Sequence, residues 1–94
     1  MEPFDRSDVH RWKKIPDIPK ATRAILERYP VFADRALHEI ERLWTPEFAD
    51  LPRKKKISTY DGVWLNQYSS LHRTTAIALA NAYCDMRERN NAVE

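Results

Sequence analysis

Apolar residues recur along this chain at helical rather than strand spacing. Ala33, Leu37, Ile40 and Trp44 fall at i, i+4, i+7 and i+11, and Ala36 and Leu43 widen the same stripe. Asp34, Arg35, His38, Glu41 and Arg42 lie largely outside it. The spacing predicts a helix from Pro30 to about Trp44, with Leu37 and Trp44 in the core. Packing should hold it, because an exposed pair such as Arg35 and Glu39 contributes only about 0.2–0.5 kcal/mol. Upstream, Ala21, Ala24, Ile25, Leu26 and Tyr29 give a second stripe over about Ile18 to Arg28, with Asp17 as its cap and Tyr29-Pro30 as its end. A shorter helix is expected over 6–14. Asp5 and Asp8 have capping-box spacing there, Phe4 and Val9 occupy the staple positions, and Pro16 stops the run. The link from Ile15 to Pro19 should be extended. Thr45-Pro46-Glu47 reads as the cap and first two positions of one further helical turn before Pro52.

Arg53 to Ile57 reads as a basic loop. Ser58-Thr59-Tyr60-Asp61 again has capping-box spacing, and helical periodicity then continues to about Arg89. A helix of roughly 30 residues is about 45 Å long. A domain of this size is only some 30–35 Å across by the usual scaling of the radius of gyration. The helix must therefore kink, or project and pack against something else. Its first half is amphipathic through Trp64, Leu65, Tyr68 and Leu71. Its second half, Ala76 to Ala80 and then Ala82-Tyr83-Cys84, is apolar nearly all round. Such a helix is central in the fold or shared with another subunit. Residues 90–94 read as a frayed end. The pattern predicts an all-α protein: one domain over 1–94, a small bundle of about four helices with a long C-terminal helix.

Composition agrees. Gly62 is the single glycine, too few for the turns of an all-β fold, and the six prolines fall between the periodic runs. Cys84 is the single cysteine, so no internal disulfide can form. No run approaches a membrane span of about 18 apolar residues. No N-terminal stretch resembles a signal peptide, since Glu2, Asp5, Arg6 and Asp8 interrupt it. A cytoplasmic location is expected by elimination. The net charge of +2 does not by itself announce a nucleic-acid binder. Its distribution says more. Asp34, Glu39, Glu41, Glu47 and Asp50 make an acidic middle, and Arg53, Lys54, Lys55, Lys56 and Arg73 a basic segment after it. This favours an electrostatically steered partner or head-to-tail self-association.

Catalytic chemistry has no visible constellation. His10, His38 and His72 are 28 and 34 residues apart, and His38-Glu39-Ile40-Glu41 lacks the second histidine of a zinc-protease helix. Ser69, Ser70 and Cys84 fall within a predicted helix rather than on a glycine-bounded turn, and there is no glycine-rich phosphate loop. We expect no enzyme activity, no metal and no cofactor. Two function classes remain. The first is a protein-binding module, a regulator or inhibitor docking on a larger protein. It would act as a homodimer joined through the last helix at Ala78, Ala82 and Met86. The second is a nucleic-acid binder using Arg53, Lys54, Lys55 and Lys56 against phosphates. The start of the following helix, with Tyr60, Trp64 and Arg73, would complete the surface, and Asn66 and Gln67 would reach base edges. The exposure of Trp64 and Tyr68 relative to the lysines separates the two.

Asp5 to Pro16 resembles the recognition helix and following turn of Cro-type helix-turn-helix repressors of phages. Those families place two helices before it, and the chain begins too late to supply them. An alanine- and aromatic-rich C-terminal helix after a basic segment is similar in architecture to phage small terminase subunits. These resemblances imply a phage or mobile-element origin, and transfer neither an activity nor any residue's role.

Overall fold

Proline sets most of the element boundaries. Pro30 and Pro46 open two helices, and Pro19 and Pro52 stand immediately before two more. Proline's fixed φ suits a first turn, and its missing N–H is one a helix start would leave unpaired anyway. The residue ahead of each proline is pushed off helical geometry. Thus Tyr29 has ψ 70°, Thr45 ψ 167° and Leu51 ψ 151°. The computed structural model describes residues 11–93, with side chains through Asn90. Its α-helices are α1 (Lys20–Arg28), α2 (Pro30–Leu43), α3 (Pro46–Asp50), α4 (Arg53–Val63) and α5 (Ser70–Val93). Short 3-10 turns span Arg11–Lys14 and Leu65–Gln67, and there is no strand among the described residues. The all-α bundle with a long last helix is therefore what the chain forms.

The four longer helices run alternately up and down. Tyr29 at the end of α1 meets His72 near the start of α5, and Phe32 near the start of α2 meets Trp64 just after α4. At the opposite end Arg53, which opens α4, hydrogen-bonds Asp85 and Glu88 far along α5. The 3-10 turn at Arg11 is tied there too, by an ion pair to Glu41 near the end of α2. α5 touches α1, α2 and α4. This explains its all-round apolar run: Ala76, Leu79, Ala80, Ala82 and Tyr83 are buried by helices of the same chain. The α2 stripe packs against it through Phe32, Ala33, Ala36, Leu37 and Ile40. Trp44 is half-buried against this core.

Several expectations change. The 6–14 helix falls mostly outside the described residues, and its described part is a 3-10 turn with Trp12 buried. Asp17 does not cap α1. It sits in the left-handed region at φ 65°, which aspartate tolerates better than most residues, and accepts a 2.6 Å hydrogen bond from Arg89. The basic loop is the first turn of α4, so the capping-box residues Ser58 to Asp61 lie inside a helix. The expected helix of roughly 30 residues breaks between Val63 and Ser70. Trp64 and Tyr68 leave helical geometry, and Ser69 takes the cap position, its Oγ 3.5 Å from the His72 amide. The remaining 24 residues rise about 36 Å, which matches the longest dimension of 36 Å. Thr45 caps α3 as expected, accepting from the Phe48 amide at 3.2 Å.

Gly62 lies within α4 with no atom within 4 Å of where a Cβ would stand, and its φ is not positive. It costs backbone entropy with no compensating contact. Gly62→Ala should raise stability by up to about 1 kcal/mol and the melting temperature by several degrees. A melt unchanged or lowered would mean that α4 ends before this position.

Candidate functional site

The basic segment is only partly free. Four consecutive cations in the first turn of a helix oppose its dipole and need compensation. Arg53 supplies it by donating to Asp85 at 2.6 Å, Glu88 at 2.9 Å and Asn81 at 3.3 Å. Lys56 is 5% exposed. Its Nζ donates to the Leu51 carbonyl at 2.8 Å and lies 5.4 Å from the Trp44 ring centroid. Only Lys54 and Lys55 stand in solvent. Of the residues expected beside them, Tyr60 is 1% exposed and donates to the Ala36 carbonyl at 3.2 Å, and Trp64 is 7% exposed. Both belong to the core. Gln67 is exposed, and Arg73 is held by Asp61 at 2.7 and 3.1 Å. The structure therefore does not gather Arg53, Lys54, Lys55, Lys56, Tyr60, Trp64, Gln67 and Arg73 on one open face. Ala82, expected at a dimer contact, is buried inside the monomer, while Ala78 and Met86 are half-buried.

Cys84 is buried beside Trp44, Lys56 and Tyr60, around a gap of about 10 Å³, room for about one water. Burial pushes its thiol up, against the opposing pull of Arg53 and Lys56. It is a protonated core residue and not a nucleophile in waiting. Among the described residues no three His, Cys, Asp or Glu side chains are placed to hold a metal. No helix among them is long and apolar enough to cross a membrane.

The distinctive surface lies at the other end. Rings form a ladder from the core outward. Tyr60 meets Trp64 at 5.7 Å, and Phe32 meets Trp64, Tyr68 and His72 at 5.7, 5.5 and 4.4 Å. His72 meets Tyr29 at 5.3 Å, and its Nδ1 is 3.0 Å from Ser69 Oγ. Among the described residues, the large hydrophobic side chains that remain exposed are Tyr29 at 37%, Val31 at 68%, Val63 at 54% and Leu71 at 48%. Tyr29 is a member of this ladder, and Val31, Val63 and Leu71 stand next in sequence to its members Phe32, Trp64 and His72, so all four fall at the same end of the bundle. The corner between α1 and α2 and the break between α4 and α5 together make one apolar pole.

This pole was not visible in the sequence. Tyr29 and Leu71 appeared as inward members of helical stripes, and Phe32 was missed although it lies four residues before Ala36 and eight before Ile40. The available signal was Ser69-Ser70 before an apolar run, a helix start that divides the long helix and moves Leu71 into a first turn. No protein-family model matches the chain, and no curated protein or solved structure proves similar to it.

Burial also raises the Tyr60 hydroxyl, helped by Glu39, and the Tyr83 hydroxyl. A buried acid with a raised folded pKa holds its proton more tightly folded than unfolded. Stability is then full below the unfolded pKa and falls as pH rises above it. The protein should lose stability above about pH 8.5, where an unfolded cysteine ionises, and lose it faster above about pH 10, where tyrosine does. In denaturant titrations Cys84→Ala should remove the first decline and keep the second. An unchanged first decline would show that Cys84 is not buried.

Proposed function

We propose that this protein is a small non-enzymatic helical module that binds another protein chain through its apolar pole. One observation carries the reading: Tyr29, Val31, Val63 and Leu71, the exposed large hydrophobic residues of the described chain, all fall at the end of the bundle where the α1–α2 corner meets the α4–α5 break. Singly scattered exposed apolar residues are ordinary, whereas exposed apolar residues concentrated at one end of a small domain suit a contact surface. Fully burying a valine or leucine is worth about 1.5–3 kcal/mol. Covering residues already one-half to two-thirds exposed would supply several kcal/mol toward the cost of association. Rings packed behind the patch give it a rigid floor, which keeps ordering costs low.

The nucleic-acid alternative has less support. It needs Trp64 and the lysines on one open face, and Trp64 and Lys56 are buried while Arg53 is ion-paired. Lys54 and Lys55 alone are a small footprint for phosphate.

Photo-crosslinking tests the reading. A crosslinker at Leu71 should trap a second protein chain, and one at Lys54 should not. Leu71→Asp and Val63→Asp should each abolish partner capture and leave stability within about 0.5 kcal/mol, as exposed substitutions usually do. Capture that survives both changes but is lost in Lys54→Glu/Lys55→Glu would overturn the assignment and return attention to the basic turn.

A further inference from the structure

We infer that the chain received by the apolar pole is a second copy of this protein, paired about a two-fold axis; this rests on the reading of that pole as a protein-binding surface. The argument is electrostatic. In a two-fold contact a surface meets itself, so a patch with charge of one sign repels its own copy. The polar flank of this pole carries both signs in equal number. Glu27 and Arg28 close α1 just before Tyr29, and Asp34 and Arg35 lie one helical turn beyond Val31. None of these four is in an ion pair among the described residues. Arg28 lies 5.9 Å from the Tyr29 ring centroid, at the edge of the patch. The Asp61–Arg73 pair on the other flank is already closed within the chain.

The pole is thus apolar at its centre and neutral at its rim, with unpaired charges of both signs that can cross-pair with a copy. A polyanion would gain Arg28 and Arg35 but meet Glu27 and Asp34. The lysines lie towards the other end, in the 3-10 turn at Lys13 and Lys14, at Lys20 opening α1, and at Lys54 to Lys56 in the first turn of α4. The expected self-association therefore moves along α5, away from Ala78, Ala82 and Met86 to the end that carries Leu71.

Sedimentation equilibrium of the full chain from about 5 to 500 μM tests this, the range in which a small apolar contact gives a measurable dimer. The mass should rise with concentration toward twice that of one chain. Each substitution acts twice in a two-fold dimer, so Leu71→Asp and Val63→Asp should each weaken it by about tenfold or more. Arg28→Glu/Arg35→Glu leaves four carboxylates on each rim and should also weaken it, more at low salt than at high. Lys54→Glu/Lys55→Glu should leave it unchanged. A single-chain mass throughout overturns the inference. If Leu71→Asp still strips a different protein from the captured complex, the pole remains a protein-binding surface with another occupant; if it strips nothing, both readings fall. A dimer weakened by the lysine changes and not by Leu71→Asp or Val63→Asp also overturns it.

Discussion

Phe32 is the contact on which the arrangement depends. A continuous helix through residues 64, 68 and 72 would spread them over about 12 Å of rise. In the folded chain Trp64, Tyr68 and His72 all gather round the one Phe32 ring, within 4.4 to 5.7 Å. That gathering requires the chain to leave helical geometry at Trp64 and Tyr68 and to restart at Ser70. Aromatic pairs in such edge and offset geometries are worth about 0.5–1.5 kcal/mol each beyond their buried area, comparable to the net worth of each helical hydrogen bond given up, so together with the burial of Phe32 and Trp64 they offset the break. The break turns α5 back along α4 and surrounds its apolar run with α1, α2 and α4.

The same break explains where the charges go. Folding back brings Asp85 and Glu88, on the second half of α5, against the start of α4, where both meet Arg53. A helix start crowded with cations becomes tolerable because carboxylates of another helix face it. At the other end the turn leaves Val63 and Leu71 on its outside with nothing from the described chain to cover them. The apolar pole is thus a product of the turn, as is the closed charge network opposite.

Much of the fold was legible because it rests on local rules. The stripe over Pro30 to Trp44, the cap at Thr45 and the prolines at helix starts each follow from spacing and backbone geometry. The start of α4 was illegible because its sequence opposes local preference. Arg53 to Lys56 offer no side-chain cap and the wrong charge for a helix N-terminus, while Ser58 to Asp61 supply a competing start signal. Only contact with α5 and with the Leu51 carbonyl resolves that conflict. The pole was illegible for a related reason. Periodicity assigns Leu71 to a stripe if the helix is continuous and to a turn's outer face if it is broken, and the choice depends on Phe32, more than thirty residues away.

The claim that orders the rest is that the chain folds back between Val63 and Ser70, and a distance measurement tests it most directly. Spin labels at Lys55→Cys and Glu88→Cys, in a Cys84→Ala background, report the separation of the start of α4 from the end of α5. Folded back, the labels sit on neighbouring helices whose axes lie about 8–10 Å apart, since Arg53 and Glu88 are in hydrogen-bond contact at 2.9 Å. The account predicts a single short distance of that order extended only by the label arms. A continuous helix would place the two sites about 50 Å apart, and a distribution centred there would contradict the turn, the ladder built on it and the pole it exposes.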